Sequence, residues 1–420
     1  MPYPMTPLAH LTQTLQQNGL VKFLAHFVKE YPECHLKDLT METMGPGRQV
    51  QIHGKTLINF GSDSFLGLDQ DPRVQEALHE GIRKWGTHNG TSRAFASVEA
   101  NIRAEEKLAS WLGTEAVLIY PSVTLANLGA IPGLVGKPDL LVVDQHAHNS
   151  IQEGARIAKA NGTRVLFFEN CDPMGLSKTL EQAGKYRLAV VAIDGVYSMS
   201  GVIPPLKEIN QVCLNRNAVL YVDDAHATAV LGTQGRGTVL DAVGNYDNTL
   251  VVGSLSKGFS CLGGFVGCTG EMKTLLKMRS NTYIFGGPVG PPYLEAICAV
   301  CDILTSGEYL LILENLRRNQ RELVYGLKNL GLNVLGGETP IVSIVSGDET
   351  NTLKAGKMLF DQGYYVQSVI FPAVPYHSGV LRVQVNANHE LAAVQGLVQA
   401  FAKVTRDIPF PDLEPARQAI

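Results

Sequence analysis

The sequence predicts an α/β protein: a large domain on a mostly parallel central sheet, followed by a smaller C-terminal α+β domain. From about residue 115, short continuous runs rich in Val, Ile and Leu alternate with amphipathic stretches. The runs lack polar alternation, as expected of strands buried on both faces in parallel sheets flanked by helices. After Pro291 and Pro292 the texture changes, first to a long helical pattern and then to strands separated by a single helix.

Residues 1–55 read as a helical arm ending in a hairpin around QVQIHGKTLINF (49–60). Within a large domain at 56–290, the expected strands are AVLIY (116–120), LLVVD (140–144), VLFFE (165–169), LAVVAID (188–194), VLYVDD (219–224) and TLVVGSL (249–255). Helical patterns such as SIQEGARIAKA (150–160) and LKEINQVCLNR (206–216) separate them. In the small domain, 291–420, one helical pattern runs from LEAICAVCDIL (294–304) to LVYGLKNLG (323–331). The strands IVSIV (341–345), YVQSV (365–369) and LRVQVNA (381–387) follow, with the helix TLKAGKMLFDQG (352–363) between the first two and a terminal helix after the last.

At 420 residues the chain is too long for one core, which agrees with two domains. A hydrophobic share of 45% against 18% charged residues describes a globular protein. The net charge of -4 argues against nucleic acid or an anionic membrane as a partner. Seven scattered cysteines suit neither a disulfide framework nor a zinc site, and the close pair Cys298 and Cys301 reads as packing on a helix. MPYPMTPLAHLTQTLQQ lacks the basic start and apolar stretch of a signal peptide, and no apolar run reaches membrane-spanning length. The expected compartment is the cytoplasm.

Open α/β sheets place ligands at the carboxyl ends of their strands, where the informative residues fall. In VLYVDDAHATAVLGTQGRG (219–237), Asp223 and His226 follow a buried strand. A buried acid needs a cationic partner, and the pyridinium nitrogen of pyridoxal phosphate is one: an ionised carboxylate keeps that ring protonated and electron-accepting. A turn cap and a core histidine are the plainer alternatives. In VVGSLSKGFSCLGGFVGC (251–268), Lys257 follows an apolar strand in a turn of small residues. Desolvation there frees a lysine lone pair for imine formation with an aldehyde, although a surface lysine fits the same pattern. In IYPSVTLANLGAI (119–131), Ser122, Val123 and Thr124 lie between a strand and a helix. Free N–H groups at such a start suit a phosphate, and Ser or Thr there also serve as ordinary N-caps.

Taken together and in order, these residues resemble the α-oxoamine synthases, fold-type I pyridoxal phosphate enzymes. The resemblance extends from NFGSDSFLGL (59–68) to NANHE (386–390), with DDAHATAVLGTQGRG and SLSKGF its most specific stretches. It implies that Lys257 carries the cofactor as a Schiff base, that Asp223 partners the pyridine nitrogen and that His226 donates to the phenolic oxygen. His148, in DQHAHNSIQEG, falls where the family stacks a histidine on the ring; the spacing to SIQEG selects it over His146. By the same resemblance, Ser198 in GVYSMSG is expected near the phenolic oxygen, Asp194 as a supporting acid, and Ser254 with the backbone amides of Val123 and Thr124 against the phosphate. Arg382 in GVLRVQVNANH falls at the family's arginine for the amino-acid carboxylate, a pairing that guanidinium geometry suits. Its alternative is a solvated charge on a strand face, and Leu381 and Val383 should point the other way.

The chain also departs from the family pattern. Asp63 stands where an asparagine usually helps hold the substrate carboxylate, within Ser62, Asp63, Ser64 and Phe65 in place of Ser-Asn-Asp-Tyr. Gly286 and Gly287 replace a Thr/Ser pair that reaches the neighbouring subunit's phosphate. Ala373 replaces a threonine found in some members, and Val123 and Thr124 replace the usual Gly-Phe or Gly-Tyr.

The resemblance implies a decarboxylative Claisen-type condensation of glycine, alanine or serine with an acyl thioester, carried on coenzyme A or an acyl carrier protein. It also implies a homodimer in which GTHNGTSRAFASVEA (86–100) reaches across to the partner. An aminotransferase of the same fold and a non-catalytic scaffold are the rival readings.

Overall fold

The computed structural model describes residues 6–411; residues 1–5 of the expected arm and 412–420 of the expected small domain lie outside the described residues. Six strands form where the apolar runs stand: Ala116–Tyr120 (β1), Leu140–Asp144 (β2), Arg164–Phe168 (β3), Ala189–Asp194 (β4), Ala218–Asp223 (β5) and Thr249–Ser254 (β6). A seventh, Gly264–Cys268 (β7), completes a sheet of order β1-β7-β6-β5-β4-β2-β3. β2 to β6 pair in parallel, whereas β7 runs antiparallel to both β1 and β6.

Burial on both faces explains the unbroken apolar runs. Val117 and Ile119 of β1, Leu140 and Val142 of β2, and Leu220 and Val222 of β5 point into one core. Leu118, Tyr120, Leu141, Val143 and Tyr221 point into the other. Each fully buried large side chain stabilises by about 1.5–3 kcal/mol, which favours apolar residues along the inner strands, whereas β3 at the sheet edge leaves Arg164 and Phe167 exposed. Helices Val123–Leu134 and Asn149–Ala160 cover the second face with Ala130, Ile131, Ile151 and Ala155. Helices Glu99–Leu112, Pro173–Gln182 and Leu206–Asn215 cover the first with Leu108, Leu176 and Ile209.

β7 escapes a sequence reading because two of its five residues are glycine. Both are needed for close approach: a Cβ on Gly264 would lie 2.5 Å from the Val123 nitrogen, and one on Gly267 would lie 2.7 Å from Leu112. Gly264 thereby lets the start of helix Val123–Leu134 settle onto the sheet.

In the C-terminal region, Val334–Gly336, Ile341–Gly347, Gly379–Gln384 and Gln367–Val369 form an antiparallel sheet in that order. The stretch read as one strand at 365–369 is divided. Tyr364–Tyr365 pairs in parallel with Lys55–Asn59, while Gln367–Val369 pairs with Gly379–Gln384 and sets Gln367 opposite Arg382. The N-terminal hairpin of Gln49–Ile52 and Lys55–Asn59 is thus stitched to the C-terminal part of the chain.

The long helical pattern is two helices, Pro291–Leu304 and Glu308–Asn329, bent by 86° across the Thr305–Gly307 break. Cys298 and Cys301 are buried packing residues on the first. Among the described residues no single helix is long and apolar enough to cross a membrane; this bent pair meets the length and composition only jointly, and its first helix is core.

Candidate active site

A cavity of about 190 Å³ opens at the carboxyl end of the central sheet. Val123, Thr124, His148, Asp194, Asp223, His226 and Lys257 line it, with Ser122, Ala225 and Ser256. Parallel pairing brings the acids together: Asp194 ends β4 and Asp223 ends β5 in register. β6 delivers the turn that carries Lys257.

Of the consecutive acids at the end of β5, Asp223 lines the cavity and Asp224 does not. Asp224 accepts the Thr238 N–H at 2.7 Å and its hydroxyl at 2.6 Å, with burial pushing its carboxyl up to about 7. Asp223 accepts an Asn127 amide N–H at 2.6 Å on Oδ2 and the Ala225 N–H at 3.1 Å on Oδ1. Burial, then the neighbouring Asp223 charge, raise the Asp194 carboxyl well above its ordinary value. Asp194 accepts the His148 backbone N–H at 3.1 and 3.2 Å on its two oxygens, anchoring the start of helix Asn149–Ala160.

His148 caps that helix, its Nδ1 accepting the Ser150 N–H at 3.2 Å. Desolvation lowers the imidazole below its ordinary value against the opposing pull of Asp223. His226 is buried, and desolvation, aided by Lys257, Arg382 and His148, pushes it well below the usual histidine range, so its ring is neutral. Desolvation likewise lowers Lys257, with Asp223 and Asp63 opposing. A lysine so placed has a usable lone pair. At the opposite wall, Ser122 caps helix Val123–Leu134 by accepting the Leu125 N–H at 3.1 Å, and the N–H groups of its first turn lie at the cavity.

Arg382 is 6% exposed, which excludes a solvated strand-face charge. Its Nε donates to the Ser198 carbonyl at 2.7 Å and its Nη1 to Gln367 Oε1 at 2.9 Å. Burial lowers the guanidinium to about 10, with Asp63 opposing. Leu381 and Val383 are fully buried in the core on the other side of the strand. The Asp63 loop is held by Gln384 and Gln367, which donate to the Gly61 carbonyl at 2.8 and 3.1 Å, and by Asn386, which donates to the Ser62 carbonyl at 2.9 Å. Ser198 lines a larger cavity of about 440 Å³ with His146, Tyr197, Met199 and the 371–375 segment that includes Ala373.

Ser254 does not line the smaller cavity. It is fully buried, with Oγ 3.1 Å from Ser256 Oγ, and exposed Ser256 takes the lining position. At the family's Thr/Ser pair, a Cβ on Gly286 would lie 2.2 Å from the Thr282 carbonyl, and Gly287 has φ +72°. Backbone geometry therefore favours glycine at both positions. Sequence reasoning missed Asn127, Ser150 and Gln367, whose only signal was a position on the inward face of an element otherwise read as core.

The donor set fits pyridoxal phosphate: an amine for the aldehyde, an acid for the pyridine nitrogen, a neutral buried imidazole and a helix start for the phosphate. The aminotransferase class I and II family matches residues 55–401. An 8-amino-7-oxononanoate synthase of Thermoanaerobacter pseudethanolicus is 33% identical over 376 residues, covering 89% of this chain and 93% of the relative. One from Trichlorobacter lovleyi is 33% identical over 407 residues, covering 96% and 99%. Among solved structures, a serine palmitoyltransferase from S. paucimobilis with PLP and myriocin bound superposes with TM-score 0.86 at 28% identity, covering 93% of this chain and 99% of that one. The Sphingomonas wittichii serine palmitoyltransferase gives 0.86 at 25% identity, covering 94% and 99%. With this coverage and the four residues Lys257, Asp223, His226 and His148 around one cavity, the chain belongs to the α-oxoamine synthases within the aminotransferase class I and II family.

Proposed function

We propose that this chain condenses a small α-amino acid (glycine, alanine or serine) with an acyl thioester to give an α-amino ketone, carbon dioxide and free thiol. The convergence of Lys257, Asp223, His226 and His148 on one cavity carries the reading. Bound pyridoxal phosphate would supply an aldehyde for amines and a ring that draws in the electrons of a carbanion. Lys257 would hold that aldehyde, and its free amine is placed to take the Cα proton of the bound amino acid as general base. Asp223 would accept a hydrogen bond from the pyridinium N–H and keep the ring protonated, His226 would donate to the phenolic oxygen beside Ser198, and His148 would cover one ring face. The Val123 and Thr124 amides hold the phosphate, with Ser254 behind Ser256, and Asp194 anchors His148. Arg382 fixes the amino-acid carboxylate, and Asp63 tempers that contact.

A homodimer in the cytoplasm is part of the same reading. Phe95 and Phe285 are 88% and 82% exposed on segments joined by the Ser92 hydroxyl donating to the Ile284 carbonyl. An aromatic pair so exposed suits burial against a second copy, with segment 86–100 reaching across.

The test follows thiol release from an acyl-CoA panel with glycine, alanine or serine present or absent. Release that requires an amino acid, with carbon dioxide in equal amount, is expected. Amino-group exchange with a 2-oxo acid and no thiol release would replace this reading with an aminotransferase.

A further inference from the structure

We propose that Asn127, acting with Ser150, is a positioning residue of this site: a donor chain running from Tyr221 through Asn127 to Ser150 holds His148 as the Nε2–H tautomer and aims Asp223. The inference rests on the reading of His148 and Asp223 as cofactor-facing residues.

Donors and acceptors can be assigned one at a time. An ionised carboxylate only accepts, so the Asn127 atom 2.6 Å from Asp223 Oδ2 is the Nδ2 amide. Its second N–H meets Ser150 Oγ at 2.8 Å, so that oxygen accepts there. On the other side of the amide, Asn127 Oδ1 accepts the Tyr221 hydroxyl at 2.8 Å. Ser150 has one hydroxyl proton, and its remaining partner is His148 Nδ1 at 2.7 Å. Nδ1 already receives the Ser150 backbone N–H at 3.2 Å. With two donors aimed at it, Nδ1 carries the lone pair and the ring proton sits on Nε2.

The fold makes this chain dry and short. Asn127 and Tyr221 are fully buried and Ser150 is 2% exposed. The helices that carry Asn127 and Ser150 approach so closely that a Cβ on Gly154 would lie 2.8 Å from the Asn127 carbonyl oxygen. One amide therefore touches both the residue under the cofactor nitrogen and the hydroxyl behind the stacking ring. Its two N–H groups reach Asp223 and Ser150 separately, leaving one lone pair of Asp223 Oδ2 for the cavity.

The experiment uses the full chain labelled with ¹⁵N-histidine, cofactor-free and loaded with pyridoxal phosphate. Wild type is expected to show His148 as Nε2–H in both forms. Ser150→Ala should move the His148 Nδ1 resonance away from its strongly hydrogen-bonded position. Asn127→Ala should move it as well and weaken pyridoxal phosphate binding by about ten- to hundredfold, the loss expected for a buried bond to a charged group. An Nδ1–H tautomer in wild type, or an Nδ1 resonance unmoved by Ser150→Ala, overturns the proposal. Ser150→Ala removes only a hydroxyl and carries the test even where Asn127→Ala does not fold. A cofactor-free protein with the expected tautomer that takes up no pyridoxal phosphate supports the donor chain while removing the proposed function.

Discussion

Around Lys257 the charges are mixed in sign, and their balance decides what each substitution does. Burial lowers its ammonium while Asp223 and Asp63 oppose, and Arg382 sides with burial. Lys257→Ala is expected to leave no pyridoxal phosphate attached after borohydride reduction, read by intact mass, and to lower turnover by about 10²–10⁴-fold or more. Asp63 places a carboxylate beside the arginine that would hold the substrate's carboxylate. Asp63→Asn removes that repulsion and should lower the amino-acid KM by about two- to fivefold with little change in kcat; a raised KM would instead mean that Asp63 holds the substrate. Arg382→Lys keeps the charge but loses the fork that bonds Ser198 and Gln367, and an increase in KM of about ten- to hundredfold is expected from steady-state kinetics.

At the scale of elements, Gly264 fixes how deeply helix Val123–Leu134 sits on the sheet. Gly264→Ala would put a carbon 2.5 Å from the Val123 nitrogen. It should cost about 1–3 kcal/mol of stability in urea denaturation and weaken phosphate binding at the helix start. The parallel strands were legible because every residue of β2 and β4 is buried, which leaves an apolar run with no other explanation. β7 was not, since glycine spaced along a strand reads as a loop until the neighbour it admits is known. The division at 364–369 was equally hidden: YYVQSV is uniform strand material, and only tertiary pairing assigns its halves to different sheets. Lys257, Asp223, His226 and His148 could be located because they stand in motifs at strand ends. Asn127 lies in a helix whose other inward residues are core, and nothing in LANLGAI separates a bridging amide from packing.

For the molecule as a whole, the buried histidines set an acid limit. His389 stacks on Phe60 at 4.1 Å, accepts the Asn386 N–H at 3.0 Å and lies 3.1 Å from the Asn59 carbonyl, with burial lowering its imidazole to about 3. A group depressed in the folded state contributes stability that is present above its unfolded value near 6.5 and lost as pH falls toward 3. The slope is about 1.4 kcal/mol per pH unit in that window. Urea midpoints should therefore fall between pH 7.5 and 5, and His389→Gln should flatten that fall even while lowering the midpoint at neutral pH. The parallel pairing of Tyr364–Tyr365 with Lys55–Asn59 carries a consequence for biosynthesis. As the polypeptide emerges from the ribosome, the 55–59 strand presents a bare edge until Tyr364 has been made, a long interval in which it can pair with the wrong chain. Nascent chains arrested before residue 364 should bind chaperones through this edge, and release should coincide with emergence of the two tyrosines.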